Sequence, residues 1–247
     1  MQQFDRPIWF LRKAHCGWLL LGVFACCSGC RVSAVGNNVD GVRQFQYGNH
    51  TGAIEQFQRA LANDPNSADA YYNLGAVYHN LGRRSSDQSL MQQAEGLYHQ
   101  CLDRDPDHVD CYRGLAVLLV QTNRSKSAFT LVERWAMRGG DRAEPKIELA
   151  RLYEEFGDPD KASQQLRDAI EVEPQNSRAW VALANLREKK GEYAQALANY
   201  RQAYDLNENL PGVATRIARL QRELSVDSVP LSQGGTRVVN TPGDPRR

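Results

Sequence analysis

Residues 162–184 read Ala162-Ser163-Gln164-Gln165-Leu166-Arg167-Asp168-Ala169-Ile170-Glu171-Val172-Glu173-Pro174-Gln175-Asn176-Ser177-Arg178-Ala179-Trp180-Val181-Ala182-Leu183-Ala184. Ala162, Leu166, Ala169 and Ile170 fall four, three and one residues apart, the spacing of one apolar stripe on a helix. Glu173-Pro174 ends that stripe, because a residue before proline disfavours the α region. A second helical pattern opens at once with Trp180-x-x-Leu183-Ala184. The stretch therefore reads as the second helix of one hairpin followed by the first helix of the next.

The same text recurs on both sides. Ala53-Ile54-x-x-Phe57-x-x-Ala60-Leu61 leads to Asp64-Pro65, and Ala94-x-x-x-Tyr98-x-x-Cys101-Leu102 leads to Asp105-Pro106. Ala196-Leu197-x-x-Tyr200-x-x-Ala203-Tyr204 lacks the proline, and Ala128-Phe129-x-x-Val132 is degenerate. The lead alanines Ala53, Ala94, Ala128, Ala162 and Ala196 are separated by 41, 34, 34 and 34 residues. Upstream of them lie Tyr71-x-x-Leu74-Gly75-x-x-Tyr78, Tyr112-x-x-Leu115-Ala116-x-x-Leu119 and Leu149-Ala150-x-x-Tyr153, in phase with Trp180-x-x-Leu183-Ala184.

A period of 34 with these half-motifs resembles the tetratricopeptide (TPR) repeat. The resemblance implies an all-α solenoid of about five helix-turn-helix repeats with a C-terminal capping helix, wound as a right-handed superhelix. Its repeats run over 34–67 (degenerate), 68–108 (with an insertion), 109–142, 143–176 and 177–210. Repeat 1 has Asn37, Asp40 and Gln44 where the pattern has an aromatic, Leu and Tyr, so its first helix is expected to fray, with 31–37 as a short tether. Turns within the repeats are expected at Gly48, Gly82, Asn123, Gly157 and Gly191, since Gly and Asn tolerate positive φ. Seven extra residues between Gly82 and Ala94 read either as two helical turns added to the second helix behind a Ser86-Asp87 cap or as a loop. Residues 211–224 read as the capping helix, basic on its outer face at Arg216, Arg219 and Arg222. Residues 225–247 carry Pro, Gly, Ser and Thr without apolar period and read as a disordered tail.

The N-terminus has a different character. Arg6, Arg12 and Lys13 precede an apolar run from Gly17 to Cys27, and Ser28-Gly29-Cys30 follows. The run is too short to span a bilayer, which needs about 20 residues, and has the length of a signal-peptide core. A small residue before a cysteine at its end resembles the bacterial lipoprotein signal. That resemblance implies cleavage before Cys30 and a lipid on its thiol. Cleavage before Cys26 is a second register, and an ordinary signal or a single uncleaved anchor are the other readings. Arg31 follows Cys30, where Asp would mark inner-membrane retention in that family, so the outer membrane is favoured.

The 247 residues are 42% hydrophobic and 9% aromatic, enough for a packed core. Lys plus Arg is 30 against 29 for Asp plus Glu, a net charge of +1. Loss of residues 1–30 removes Asp5, Arg6, Arg12 and Lys13, leaving 27 against 28 and a net −1. Neither balance favours general nucleic-acid binding. Mean hydropathy is −0.57, which with one apolar run excludes a polytopic membrane protein. Four of the six cysteines lie at or before Cys30, so the chain is no disulfide scaffold. A Cys101–Cys111 pair stays open for an oxidising compartment.

No phosphate loop, serine elbow, zinc-protease helix or dinucleotide fingerprint occurs, and the chain is expected not to be an enzyme and to need no cofactor. Asp103-x-Asp105-x-Asp107 mimics a calcium loop but has His108 and Gly114 where such a loop needs Gly and Glu. No metal site is expected from it, or from His99, Cys101, His108 and Cys111. In TPR proteins the first helices line a groove that holds segments of partner proteins. Carried over position by position, the resemblance implies a groove of Tyr72, Asn73, Ala76, His79, Arg113, Val117, Gln121, Glu148, Arg151, Glu155, Asn185, Lys189 and Arg216. It thus implies a scaffold for proteins, anchored by lipid in the cell envelope and facing the periplasm, with a role in envelope or pilus assembly. No nucleic acid or small-molecule substrate is expected. The alternative is a soluble or single-anchor TPR subunit of a larger cytoplasmic or enzyme complex.

Overall fold

The computed structural model describes residues 32–227, and every regular element among them is an α-helix. The chain forms two compact units, Met1–Gly139 and Gly140–Arg247. In the first lie α1 (32–46), α2 (His50–Asn63), α3 (Ala68–Ser85), α4 (Gln88–Arg104), α5 (Val109–Gln121) and α6 (Ser125–Arg138). In the second lie α7 (Ala143–Glu155), α8 (Pro159–Val172), α9 (Ser177–Lys189), α10 (Tyr193–Leu206) and α11 (Val213–Asp227). The all-α repeat fold is as the period implied. None of the described helices is long and apolar enough to cross a membrane.

Local chemistry sets the boundaries. Side chains of Asn49, Ser67, Asp87 and His108 accept the orphan amides at the starts of α2 to α5; in the second unit Asp158 and Asn176 do so for α8 and α9. Each such cap contributes about 0.5–2 kcal/mol. Asp64, Asp105 and Glu173 leave the helical conformation ahead of their prolines, and their amides close back on Ala60, Cys101 and Ala169.

In the first unit, α2 and α3 bury Ala53, Phe57, Leu74 and Val77 in one cluster. Tyr98 of α4 enters the space left by two glycines: a Cβ on Gly75 would sit 3.0 Å from its ring, and one on Gly114 only 2.9 Å. In the second unit, Ala143, Ile147, Ala150, Ala162, Leu166, Ala169, Ala179, Leu183 and Leu186 pack α7, α8 and α9 together. Ala184, Ala196, Leu197 and Tyr200 continue that core into Val213 and Leu220 of α11.

Four local expectations need correction. The turn expected at Gly82 is not there: Gly82 is inside α3, buried, with Met91 against it. Ser86 takes the left-handed conformation instead (φ 55°), while Gly48, Asn123, Gly157 and Gly191 have the positive φ expected of them. The seven-residue insertion lengthens both helices of its hairpin rather than one. α3 has 18 residues where α5 has 13, α4 has 17 where α6 has 14, and Asp87 caps α4 through the amides of Ser89 and Leu90. Residues 32–37, read as tether, already belong to α1. Its Ala34 is buried, and Gly41 leaves room for the Phe57 ring, so α1 stays helical although the half-buried Asn37, Asp40 and Gln44 share that side of it. The terminal helix runs to Asp227, past the expected end at 224. The lipoprotein-type signal with Cys30, and the tail from 228 onward, lie outside the described residues.

Candidate partner-binding site

The second unit contains a cavity of about 490 Å³ into which three helices converge. Glu148, Arg151 and Glu154 come from α7, Asn185, Glu188 and Lys189 from α9, and Arg216 from α11, with Ile147, Ala150, Leu166 and Ala182 supplying apolar wall. The convergence follows from the repeat: Glu148, Arg151 and Glu155 are spaced three and four residues apart on one face of α7, as are Asn185 and Lys189 on α9.

The charges are arranged as a self-paired network. Glu148 is 2% exposed. It accepts from Arg151 Nε at 3.1 Å, and Arg178 Nη2 lies 3.9 Å away. Arg151 Nη1 donates to Glu155 at 3.0 Å, while its Nη2 is buried with no acceptor among the described residues. Lys189 pairs with Glu154. Glu188 is the hub of the other end: it accepts from Arg216 at 3.1 Å and from Arg219, with the Tyr200 hydroxyl 2.7 Å away. That hydroxyl also lies 2.5 Å from Asn185 Oδ1 and accepts from Arg216 at 2.9 Å. Its single proton serves one acceptor at a time, so Glu188 and Asn185 compete for it.

Electrostatics follow from these contacts. Burial pushes the Glu188 carboxyl up, but hydrogen bonds from Tyr200 and Arg219 and the charges of Arg219 and Arg216 outweigh it and hold the group below its ordinary value. Burial, then the neighbouring Glu188, pushes Tyr200 up to about 12. The lining has no histidine, cysteine or serine. What it offers is directional donors on Arg151, Asn185, Lys189 and Arg216, set among the carboxylates of Glu148, Glu154 and Glu188.

Of the groove positions read from sequence, Glu148, Arg151, Asn185, Lys189 and Arg216 therefore meet in one place. Tyr72, Asn73, His79, Arg113 and Gln121 do not meet in that way. Tyr72 packs between the rings of Tyr98 and His108, with centroids at 6.1 and 5.4 Å. Asn73 donates to Asn38 at 3.0 Å. His79 sits 3.2 Å from the Tyr98 hydroxyl and 2.9 Å from Gln121 Oε1, which fixes the neutral ring with its proton on Nε2, and burial lowers its pKa. Arg113 pairs with Asp110 at 2.8 Å. Gln121 also lines a separate hollow of about 530 Å³ beside Gly82 and Met91. The repeat pattern does not single out Glu154 and Glu188. Their signal is charge pairing: each lies on a first helix within reach of a groove cation.

Cys101 and Cys111 form a disulfide with Cα atoms 6.6 Å apart. With His108 they are the metal-type cluster among the described residues, ligand atoms within 4.8 Å of one another. The sulfurs are bonded to each other, and His108 caps α5 through Nδ1 while Nε2 faces Asp69 at 3.0 Å. Asp105 Oδ1 accepts from the Asp107 amide, so the aspartate triplet works as an inter-helix turn.

Models of the TPR or tetratricopeptide repeat match residues 41–82, 87–146 and 147–211. The chain carries tetratricopeptide repeats. Among solved TPR structures, TTC0263 of Thermus thermophilus superposes with a TM-score of 0.57 at 23% identity, over 76% of this chain and 99% of that one. PilF of Pseudomonas aeruginosa gives 0.51 at 18% identity, over 80% and 86%. These likenesses concern the fold. Among curated proteins, the human protein O-mannosyl-transferase TMTC1 is 23% identical over 190 residues, 74% of this chain but 20% of its own length. The TPR chain thus spans about a fifth of that relative.

Proposed function

We propose that this TPR chain is a non-enzymatic scaffold that holds a segment of a partner protein in the cavity of its second unit and is tethered to the cell envelope by a lipid on Cys30. The observation that carries the binding reading is the convergence of Glu148, Arg151, Asn185, Lys189 and Arg216 from three helices on one 490 Å³ space. Arg and Asn there present donors to the carbonyls and carboxylates of an extended segment, and Ile147 and Leu166 offer apolar contact. Arg is among the residues enriched at interface hot spots. The envelope reading is supported by the signal-like N-terminus and by the Cys101–Cys111 disulfide, a bond that persists in oxidising compartments and is rare in the cytosol. Assembly of envelope or pilus structures is the service we assign to such an anchored scaffold.

A photoreactive residue at Asn185 tests the groove in intact cells. The expected result is a cross-linked band of defined mass that disappears with Arg151→Glu while helicity stays unchanged; a band indifferent to Arg151→Glu moves the interface elsewhere. Metabolic labelling with a fatty acid tests the anchor. Label lost on Cys30→Ala, with Cys26 and Cys27 intact, supports it. Absence of label in the unaltered chain returns the protein to the alternative of a soluble or single-anchor subunit.

A further inference from the structure

A larger cleft, about 670 Å³, lies in the first unit between α4 and α6, with α5 as its floor. It shares no residue with the groove positions carried over from the repeat family, and its walls are second helices over a first-helix floor. The floor is apolar and closely packed: Trp135 and Leu115 are 1% exposed and Tyr112 and Leu119 6%, so only narrow strips of it face the cleft. Trp135 stacks on Tyr112 with ring centroids 4.2 Å apart and planes 3° from parallel, and Leu115 and Leu119 continue that surface.

The rim is cationic. Arg124, Lys126, Arg134 and Arg138 face the cleft, against the single carboxylate of Glu95. Arg124 is satisfied by Glu95, which accepts two of its N–H groups at 2.9 and 2.7 Å. Arg138 is held by the Pro106 carbonyl, by Asp107 at 3.3 Å and by the Tyr112 hydroxyl at 3.0 Å. Lys126 and Arg134 are exposed, and their side chains have no hydrogen-bond or ion-pair partner among the described residues. Arg134 and Arg138 are four residues apart on α6, so both lie on the face that borders the floor. In a chain whose overall charge is nearly balanced, two unengaged cations beside an aromatic wall are a local excess.

We propose that this cleft docks a short acidic segment of a partner protein, with its carboxylates on Lys126 and Arg134 and one aliphatic or aromatic side chain against the half-buried Leu131 above the Tyr112–Trp135–Leu119 floor. Charge complementarity selects an acidic occupant, and Leu131 above the stacked floor selects one that also carries an apolar side chain. A cleft of this size fits the range of recognition pockets, about 300–1,000 Å³, and holds a few residues of chain rather than a domain. The proposal is independent of the groove in the second unit.

The test uses the full chain and a fluorescein-labelled octapeptide of Asp and Glu with one Phe and one Leu, read by anisotropy. Saturable binding is expected, falling as salt rises because rim charges are screened. Lys126→Glu with Arg134→Glu should weaken it about ten-fold or more. Arg151→Glu should leave it unchanged. Both reversed cations are exposed and unpaired, so helicity measured by circular dichroism should stay at the parent level. Equal binding of a peptide with Lys in place of every acid overturns the proposal. So does affinity unmoved by the double variant, lost equally with Arg151→Glu, or exceeded by dodecanoate, an anion with an apolar body and no peptide chain.

Discussion

Two glycines of unlike surroundings show how far a single residue's role depends on its neighbours. Gly96 lies in the interior of α4 with nothing within 4 Å of where a Cβ would stand. Gly96→Ala removes backbone entropy from the unfolded chain without a clash and should stabilise by about 0.5–1 kcal/mol. Gly114 has the same helical backbone, but its Cβ would fall 2.9 Å from Tyr98 Cζ. That ring is 2% exposed and its hydroxyl is engaged by His79, so it has little room to yield. Overpacking of about 1–3 kcal/mol then outweighs the entropic gain, and Gly114→Ala should destabilise. Urea unfolding of the two variants reads both signs, and a stabilised Gly114→Ala would show that Tyr98 is free to move. At this scale the sequence is partly legible. Gly75 stands at the repeat's small-residue position and can be identified there, whereas Gly114 is outside that pattern and its role comes from a ring on a different helix. Gly82 misleads for a related reason. Glycine serves turns and close approaches alike, and the Met91 that presses on it is nine residues away, beyond the turn itself.

Between elements, one covalent bond fixes a neighbouring pair. Cys101 ends α4's buried face and Cys111 begins that of α5, so their disulfide joins the second helix of one repeat to the first helix of the next across ten positions. Closing so short a loop restricts the unfolded chain by about 2.7 kcal/mol in the loop-entropy model. Reductant should lower the parent's free energy of unfolding, read from urea titration, by about that amount, with a matching fall in the midpoint, and leave the midpoint of a Cys101→Ala, Cys111→Ala variant where it is. An equal shift in both would mean that the bond does not form in solution. The pairing is open in the sequence because ten residues alone do not bring two thiols together. What does so is the tight Asp105-Pro106-Asp107 turn with the Asp107 amide on Asp105, and the stacking of α5 on α4 that places both side chains at 0% exposure. The lengthened α3 and α4 lie beyond the motif for a similar reason: where the added residues go is settled by Ser86 taking the left-handed turn and Asp87 the cap.

Across the whole chain, period and phase carry the fold, because each repeat buries the same stripe and the stripe is visible at 34-residue spacing. The site is legible where that regularity holds. In the second unit, first-helix positions of consecutive 34-residue repeats face one cavity. In the first, an aromatic cluster of Tyr72, Tyr98 and His108 absorbs side chains that the pattern assigns to a groove, and the pattern has no term for the cationic cleft between second helices. The same regularity predicts how damage spreads. Repeats touch only their neighbours, so stability is close to a sum of local terms. Leu220 of α11 is fully buried against Ala184, Ala196 and Tyr200, and Leu220→Ala should cost about 2–5 kcal/mol. The loss should be local in native-state hydrogen exchange. Amides of α9, α10 and α11 should exchange faster, because α11 seals the end of their core, while those of α2 and α3, with Ala53, Phe57, Leu74 and Val77 as a core of their own, should keep their protection. A uniform acceleration over both units would mean that the chain opens as one cooperative body, and the neighbour-by-neighbour account of its stability would fail.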